Sequence, residues 1–203
     1  TAILEDLQNR MQQDFPALDD LTAQTVQCDI QDVDAGLEAY SSPAFYMIPP
    51  IDALMQNTIR INRSSTADGI ELYTTLAHEG YPGHLYQTVY SSLVCDTQTL
   101  PIRKLFSYGG YVEGWAYYTE RISYEYAAQV LAEAEGSLGS SYPAALLCTL
   151  LAQQRDLQIN LFCLLDLSLH YYGAEESELL RSLESFGLSE EQSERVYDYL
   201  RTA

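Results

Sequence analysis

The sequence predicts a mainly helical domain with a small β-sheet near its N-terminus. Three observations lead there. Helical apolar spacing dominates from Gly69 onward. Short runs rich in β-branched and aromatic residues, bounded by prolines or acidic residues, fall between residues 25 and 62. With 203 residues and 47% apolar content, the chain has enough material for a real core. The expected organisation is an N-terminal helix and small sheet over 1–68, then a helical body over 69–203. Together they are expected to form one compact domain. The first residue is Thr1 rather than Met, so the chain reads as a fragment of a longer protein.

Taken in order, Ile3, Leu4, Leu7 and Met11 have helical spacing and predict a surface helix over 1–15, ended before Pro16. Residues 25–30 alternate and predict a short strand. Leu37 to Tyr40 fits a helical turn. Residues 43–50 read as a strand stopped by Pro49 and Pro50, and residues 58–62 as another. Helices are expected over 70–79, from His84 to Tyr90, and over 107–135. The stretch 142–172 has leucines on every side from Leu146 to Leu169 and reads as a helix buried all round. Arg155, Asp166 and His170 would form one polar stripe on it, either a satisfied buried network or one face of a cleft. Residues 175–187 and 189–202 read as two acidic surface helices. Ser189 and Gln192 have the spacing of a capping box for the second.

Ten Lys and Arg stand against 29 Asp and Glu, a formal charge of −19. That disfavours nucleic acid and anionic membrane surfaces as partners. No apolar run reaches membrane-spanning length. The four cysteines, Cys28, Cys95, Cys148 and Cys163, are widely spaced, and Cys148 and Cys163 read as buried thiols.

The chemistry concentrates in His78-Glu79-Gly80-Tyr81-Pro82-Gly83-His84, which holds two of the three histidines. Two imidazoles can bind a divalent transition metal, and an adjacent carboxylate can accept a proton from water. A continuous helix would turn through about 600° between His78 and His84 and separate them. Pro82 and Gly83 supply the break that lets them converge. On these grounds, replacing both by alanine is expected to weaken metal affinity with little loss of helix. The third ligand is Glu113 or, less well, His170. Glu113, Tyr117, Glu120 and Tyr124 share a helix face too polar to be a core stripe. Glu120 is placed to orient a ligand imidazole. A helix-borne Glu as third ligand is the gluzincin arrangement.

The motifs HEGYPGH and EGWAYYTE resemble the signatures of the bacterial family called domain of unknown function 885. That family is similar to the carboxypeptidase Taq group of zinc metallopeptidases. SSPAFYMIPP, the Asn-containing strand after it, and the Asp166/His170 pair also look like family features. The resemblance implies a zincin-like (gluzincin) helical fold and a carboxypeptidase-like zinc peptidase. It carries over His78, His84 and Glu113 as metal ligands and Glu79 as general base. Zinc is the expected metal, with other divalent ions as competitors, and a peptide is the expected substrate. His170, oriented by Asp166, is a candidate oxyanion donor, with Tyr117 or Tyr124 as alternatives. Arg155 joins Glu120 and Tyr124 as a supporting residue. A non-catalytic, metal-stabilised scaffolding module is the competing expectation, and a metal-free helical domain a third. The expected location is outside the cytoplasm of a bacterium, secreted or in the cell envelope.

Overall fold

A computed structural model describes residues 2–65, 69–95, 106, 108–135 and 143–202. The predicted starts of two helices, Ser107 and Tyr142, lie outside the described residues. So does part of the expected boundary near residue 68. The architecture is mainly helical with a small three-stranded mixed sheet. Two compact units are present, Thr1–Thr149 and Leu150–Ala203. The sheet and the helices bearing the histidine motif fall within the first.

The first unit opens with α1 (Ala2–Arg10), whose Leu4 and Leu7 are buried as the helical spacing requires. A 3-10 turn, Met11–Gln13, continues it and turns Met11 inward. The strands are β1 (Gln27–Asp32), β2 (Ala44–Met47) and β3 (Gln56–Ile61), in the order β1-β3-β2. β3 is central, parallel to β1 and antiparallel to β2. Its Asn57, Ile59 and Ile61 alternate inward. The buried Asn57 is fully employed: Oδ1 accepts from the Tyr46 hydroxyl at 2.6 Å, and Nδ2 donates to the carbonyls of Gln27 and Leu54. Satisfying that amide is what makes its burial tolerable.

Three helices complete the site-bearing part: α2 (Ile70–Glu79), α3 (His84–Cys95) and α4 (Gly109–Glu135). α1 is tied to α4 through the Arg10 guanidinium and to α2 through the Asp6 carboxylate. Arg10 bonds Asp6 at 3.0 Å and Glu133 at 2.7 Å, while the Tyr73 hydroxyl donates to Asp6 at 2.7 Å.

α5 (Ala144–Asp166) runs into a π-helical turn, Leu167–Tyr171, followed by α6 (Glu176–Ser185) and α7 (Glu190–Thr202). Here the expectation of a helix buried all round is corrected. Ala144, Cys148, Ala152 and Leu165 are buried, but Leu146, Leu147, Leu150, Leu157 and Leu164 are exposed. Apolar composition says what a position tolerates, whereas burial needs a neighbour. The same reason corrects Cys163, which is exposed, whereas Cys148 is buried. Cys28 is half-buried, and the Cys95 side chain lies outside the described residues. Within the second unit, Leu165, Leu179, Leu183 and Leu200 form the core. The Ser189–Gln192 box is present in both directions, at 2.9 and 3.3 Å, and starts α7. A second box, Glu175 with Glu178, starts α6. No helix among the described residues is long and apolar enough to cross a membrane.

Candidate metal centre

α2 ends where the motif breaks. Gly80 N–H closes on the Leu76 carbonyl and Gly83 N–H on the Ala77 carbonyl, both at 2.9 Å. These bonds satisfy carbonyls that a helix end leaves unpaired. Pro82 then starts the reversal through a cis Tyr81–Pro82 bond, and α3 begins at His84. Gly83 is needed for a reason the sequence did not show. Its backbone is not in the left-handed region; the positive-φ glycines among the described residues are Gly69, Gly173 and Gly187. A Cβ at 83 would instead stand 1.8 Å from the His78 carbonyl oxygen and 2.4 Å from that of Ala77. The break works by bringing α3 hard against the end of α2.

The reversal brings the two imidazoles edge to face, ring centres 4.8 Å apart. Ligand atoms of His78, Glu79 and His84 all lie within 4.8 Å of one another. Glu113, on α4, reaches in from the other side. Its Oε2 is 3.6 Å from Nε2 of His78 and 3.6 Å from Nε2 of His84. Tetrahedral ligands about 2.0–2.1 Å from zinc stand about 3.3 Å apart, so the two Glu113–imidazole distances lie close to that spacing, and these three residues could hold a metal. The Glu113 side chain is 66% exposed, and that side of the cluster is open to solvent.

Behind the trio, Glu120 Oε2 is 3.0 Å from Nδ1 of His78. That bond fixes the Nδ1–H tautomer and turns Nε2 towards Glu113. Burial along this face of α4 deepens from Glu113 to the half-buried Tyr117 and the buried Glu120 and Tyr124. Breaking the Glu120 contact has a defined consequence. Glu120→Ala is expected to weaken zinc binding about 10- to 100-fold, as loss of an orienting carboxylate does. Competition with a chromogenic chelator measures it, and an unchanged constant would remove Glu120 from the site.

Glu79 is 9% exposed and held by the sheet: Oε2 accepts the backbone N–H of Tyr46 at 2.8 Å. Oε1 is 4.0 Å from Nε2 of His78. Burial pushes the Glu79 carboxyl up, against the lowering effects of His78 and the Tyr46 amide. Burial also lowers His84, and neighbouring His78 adds to this. For His78, burial pulls downward, but the Glu120 bond and the charges of Glu79, Glu120 and Glu113 outweigh it, and the net shift is upward. A carboxylate raised towards neutrality is a stronger proton acceptor, which suits a general base.

Arg155, Asp166 and His170 belong to the second unit. His170 Nε2–H donates to the Leu200 carbonyl at 2.9 Å, and Asp166 Oδ1 is 3.7 Å from the same nitrogen. Arg155 reaches Gln158 at 3.4 Å. Two contributors escaped sequence reasoning. The Tyr46 amide is a backbone group and carries no side-chain signal. Trp115, inside EGWAYYTE, donates Nε1–H to the Pro82 carbonyl at 2.9 Å. Its indole is a donor needing an acceptor, which was a usable signal.

Residues 1–194 match the model of a family described as "Bacterial protein of unknown function (DUF885)". No curated protein matches the chain. Among solved structures it is similar to one described as "The crystal structure of the putative lipoprotein from Colwellia psychrerythraea". The TM-score is 0.65 at 19% identity, over 98% of this chain and 31% of that one. The likeness is one of fold, and the chain spans less than a third of that neighbour's length.

Proposed function

Because the chain belongs to this bacterial family of unknown function, and its centre brings two imidazoles and two carboxylates together, we propose that it bears the site of a zinc-dependent peptide-bond hydrolase. The fold class proposed is zincin-like, akin to the carboxypeptidase Taq group. One observation carries the reading: Glu113 Oε2 is equidistant, at 3.6 Å, from Nε2 of His78 and of His84, while Glu79 beside them is held separately by Tyr46.

His78, His84 and Glu113 would hold the zinc, which when bound supplies Lewis acidity and lowers the pKa of water. Glu79 takes a proton from the attacking water and returns it to the departing amine. Its Tyr46 contact keeps one oxygen anchored and the other towards the histidines. Glu120 holds His78 in the tautomer that leaves Nε2 for the metal. Tyr117, one turn beyond Glu113 on the same face of α4, is the proposed donor to developing negative charge; His170 Nε2–H donates to the Leu200 carbonyl.

A second reading has a specific observation in its favour. Glu79 is itself within the compact cluster, and four protein ligands would make a closed structural site in a scaffolding module. An envelope location in a bacterium is proposed from the neighbour's description as a lipoprotein, and cell fractionation tests it.

The decisive experiment combines metal analysis with digestion of a peptide library by full-length protein plus zinc, read by mass spectrometry. His78→Ala, His84→Ala and Glu113→Ala are each expected to abolish stoichiometric zinc, and His170→Ala to leave it. Full zinc occupancy in the Glu113 variant would overturn the assigned trio. Zinc bound without cleavage of any peptide would favour the scaffolding reading.

A further inference from the structure

Trp115 makes a direct tie between α4 and the turn between the two histidines, apart from the carboxylate–imidazole contacts. It lies two residues beyond Glu113 on α4, and its Nε1–H donates to the Pro82 carbonyl at 2.9 Å. Pro82 belongs to the reversal that separates His78 from His84. One hydrogen bond therefore ties the helix bearing the third ligand to the turn that sets the spacing of the other two.

The ring is fixed from several sides. Tyr86, two residues after His84, is nearly parallel to it at 10°, with centroids 6.4 Å apart. Phe15 meets it edge-on at 5.7 Å, and Tyr118 is tilted at 6.3 Å. Tyr86 is buried, and its hydroxyl donates to the Pro16 carbonyl at 2.9 Å, so the layer is anchored at its far side. Aromatic contact of this kind tolerates sliding, whereas an N–H···O bond has direction. Pro82 is fully buried, so loss of the donor would leave its carbonyl short of a partner and free the turn to shift.

We infer that Trp115 is a positioning residue for the metal centre: its indole N–H holds the Pro82 turn in register with α4 and so sets the distance between His84 and Glu113. This rests on the zinc reading above. In that role the side chain is not a ligand; it acts through the turn.

The test compares full-length wild-type protein with Trp115→Phe and with a form carrying benzothienylalanine at position 115. The latter ring has the size and shape of indole, with sulfur in place of N–H. Zinc affinity is measured by chelator competition, thermal unfolding without metal by circular dichroism, and coordination by the visible spectrum of the cobalt(II)-loaded forms. The benzothienylalanine form is expected to keep the wild-type metal-free melting curve, bind zinc about 10- to 100-fold more weakly, and show a changed cobalt spectrum. Trp115→Phe should lose similar affinity and also melt earlier, through lost packing. Wild-type zinc affinity and cobalt spectrum in the benzothienylalanine form would overturn the inference, as would an affinity loss confined to the Phe variant. Wild-type protein that binds no zinc would instead remove the zinc reading itself, and the inference with it.

Discussion

Gly83→Ala is expected to abolish stoichiometric zinc binding and to destabilise the first unit by about 3 kcal/mol or more. The added Cβ would lie 1.8 Å from the His78 carbonyl oxygen, 2.4 Å from the carbonyl carbon of the same residue and 2.4 Å from the Ala77 oxygen. These are backbone atoms at the end of a hydrogen-bonded helix, so no side-chain rotation relieves the clash. Either α3 moves away from α2 or the Gly83 N–H releases the Ala77 carbonyl. Both routes separate His78 from His84. The expectation that alanines at 82 and 83 would weaken metal binding with little loss of helix thereby acquires a further cause, a backbone clash at 83. Pro82→Ala alone is the gentler variant. Gly114→Ala serves as the opposite control, because nothing lies within 4 Å of a Cβ there. Removing an unneeded glycine from the interior of α4 should stabilise by about 0.5–1 kcal/mol. Thermal unfolding and zinc titration of the three variants decide the matter. Wild-type melting and zinc affinity in Gly83→Ala would sink the close-approach argument.

Glu79→Gln is expected to leave metal and fold in place and to lower peptide turnover about 10²- to 10⁴-fold, the usual worth of a general base. Glutamine has nearly the volume of glutamate, and its amide oxygen can still accept the Tyr46 N–H now bonded at 2.8 Å. What it cannot do is accept a proton from water. Steady-state turnover of the most rapidly cleaved library peptide, alongside zinc stoichiometry, separates the outcomes. Near-normal turnover with zinc bound would falsify the assignment of Glu79 as base. Loss of zinc would make Glu79 a ligand and favour the closed, structural centre. Gly83→Ala and Glu79→Gln probe different things: the first attacks the geometry that gathers the ligands, and the second leaves it standing and removes one proton acceptor.

The secondary-structure type of most segments was written locally in the sequence. Period-3.6 apolar spacing marked α1 and α2, the Ser189–Gln192 box marked where α7 starts, and short β-branched and aromatic runs bounded by acidic residues or prolines marked the sheet. The residues now gathered as a cluster, His78, Glu79, His84, Glu113 and Glu120, were also legible. Two histidines flanking an adjacent Glu79, and the carboxylates Glu113 and Glu120 on one helix face, are hard to account for by packing alone, and Pro82-Gly83 announced a break.

Tertiary structure alone decided three things. It decided why Gly83 must be glycine, because a contact between α3 and the last carbonyls of α2 exists only once both helices are built. It decided what holds Glu79, because the donor is the backbone amide of an edge strand 33 residues away, and a backbone amide has no residue signature. It decided how α5 is exposed, because a leucine is buried only when something is packed against it, and composition is silent on neighbours. Local chemistry and periodicity belong to the chain, while close approach and burial belong to the fold, because they depend on pairs of segments distant in sequence.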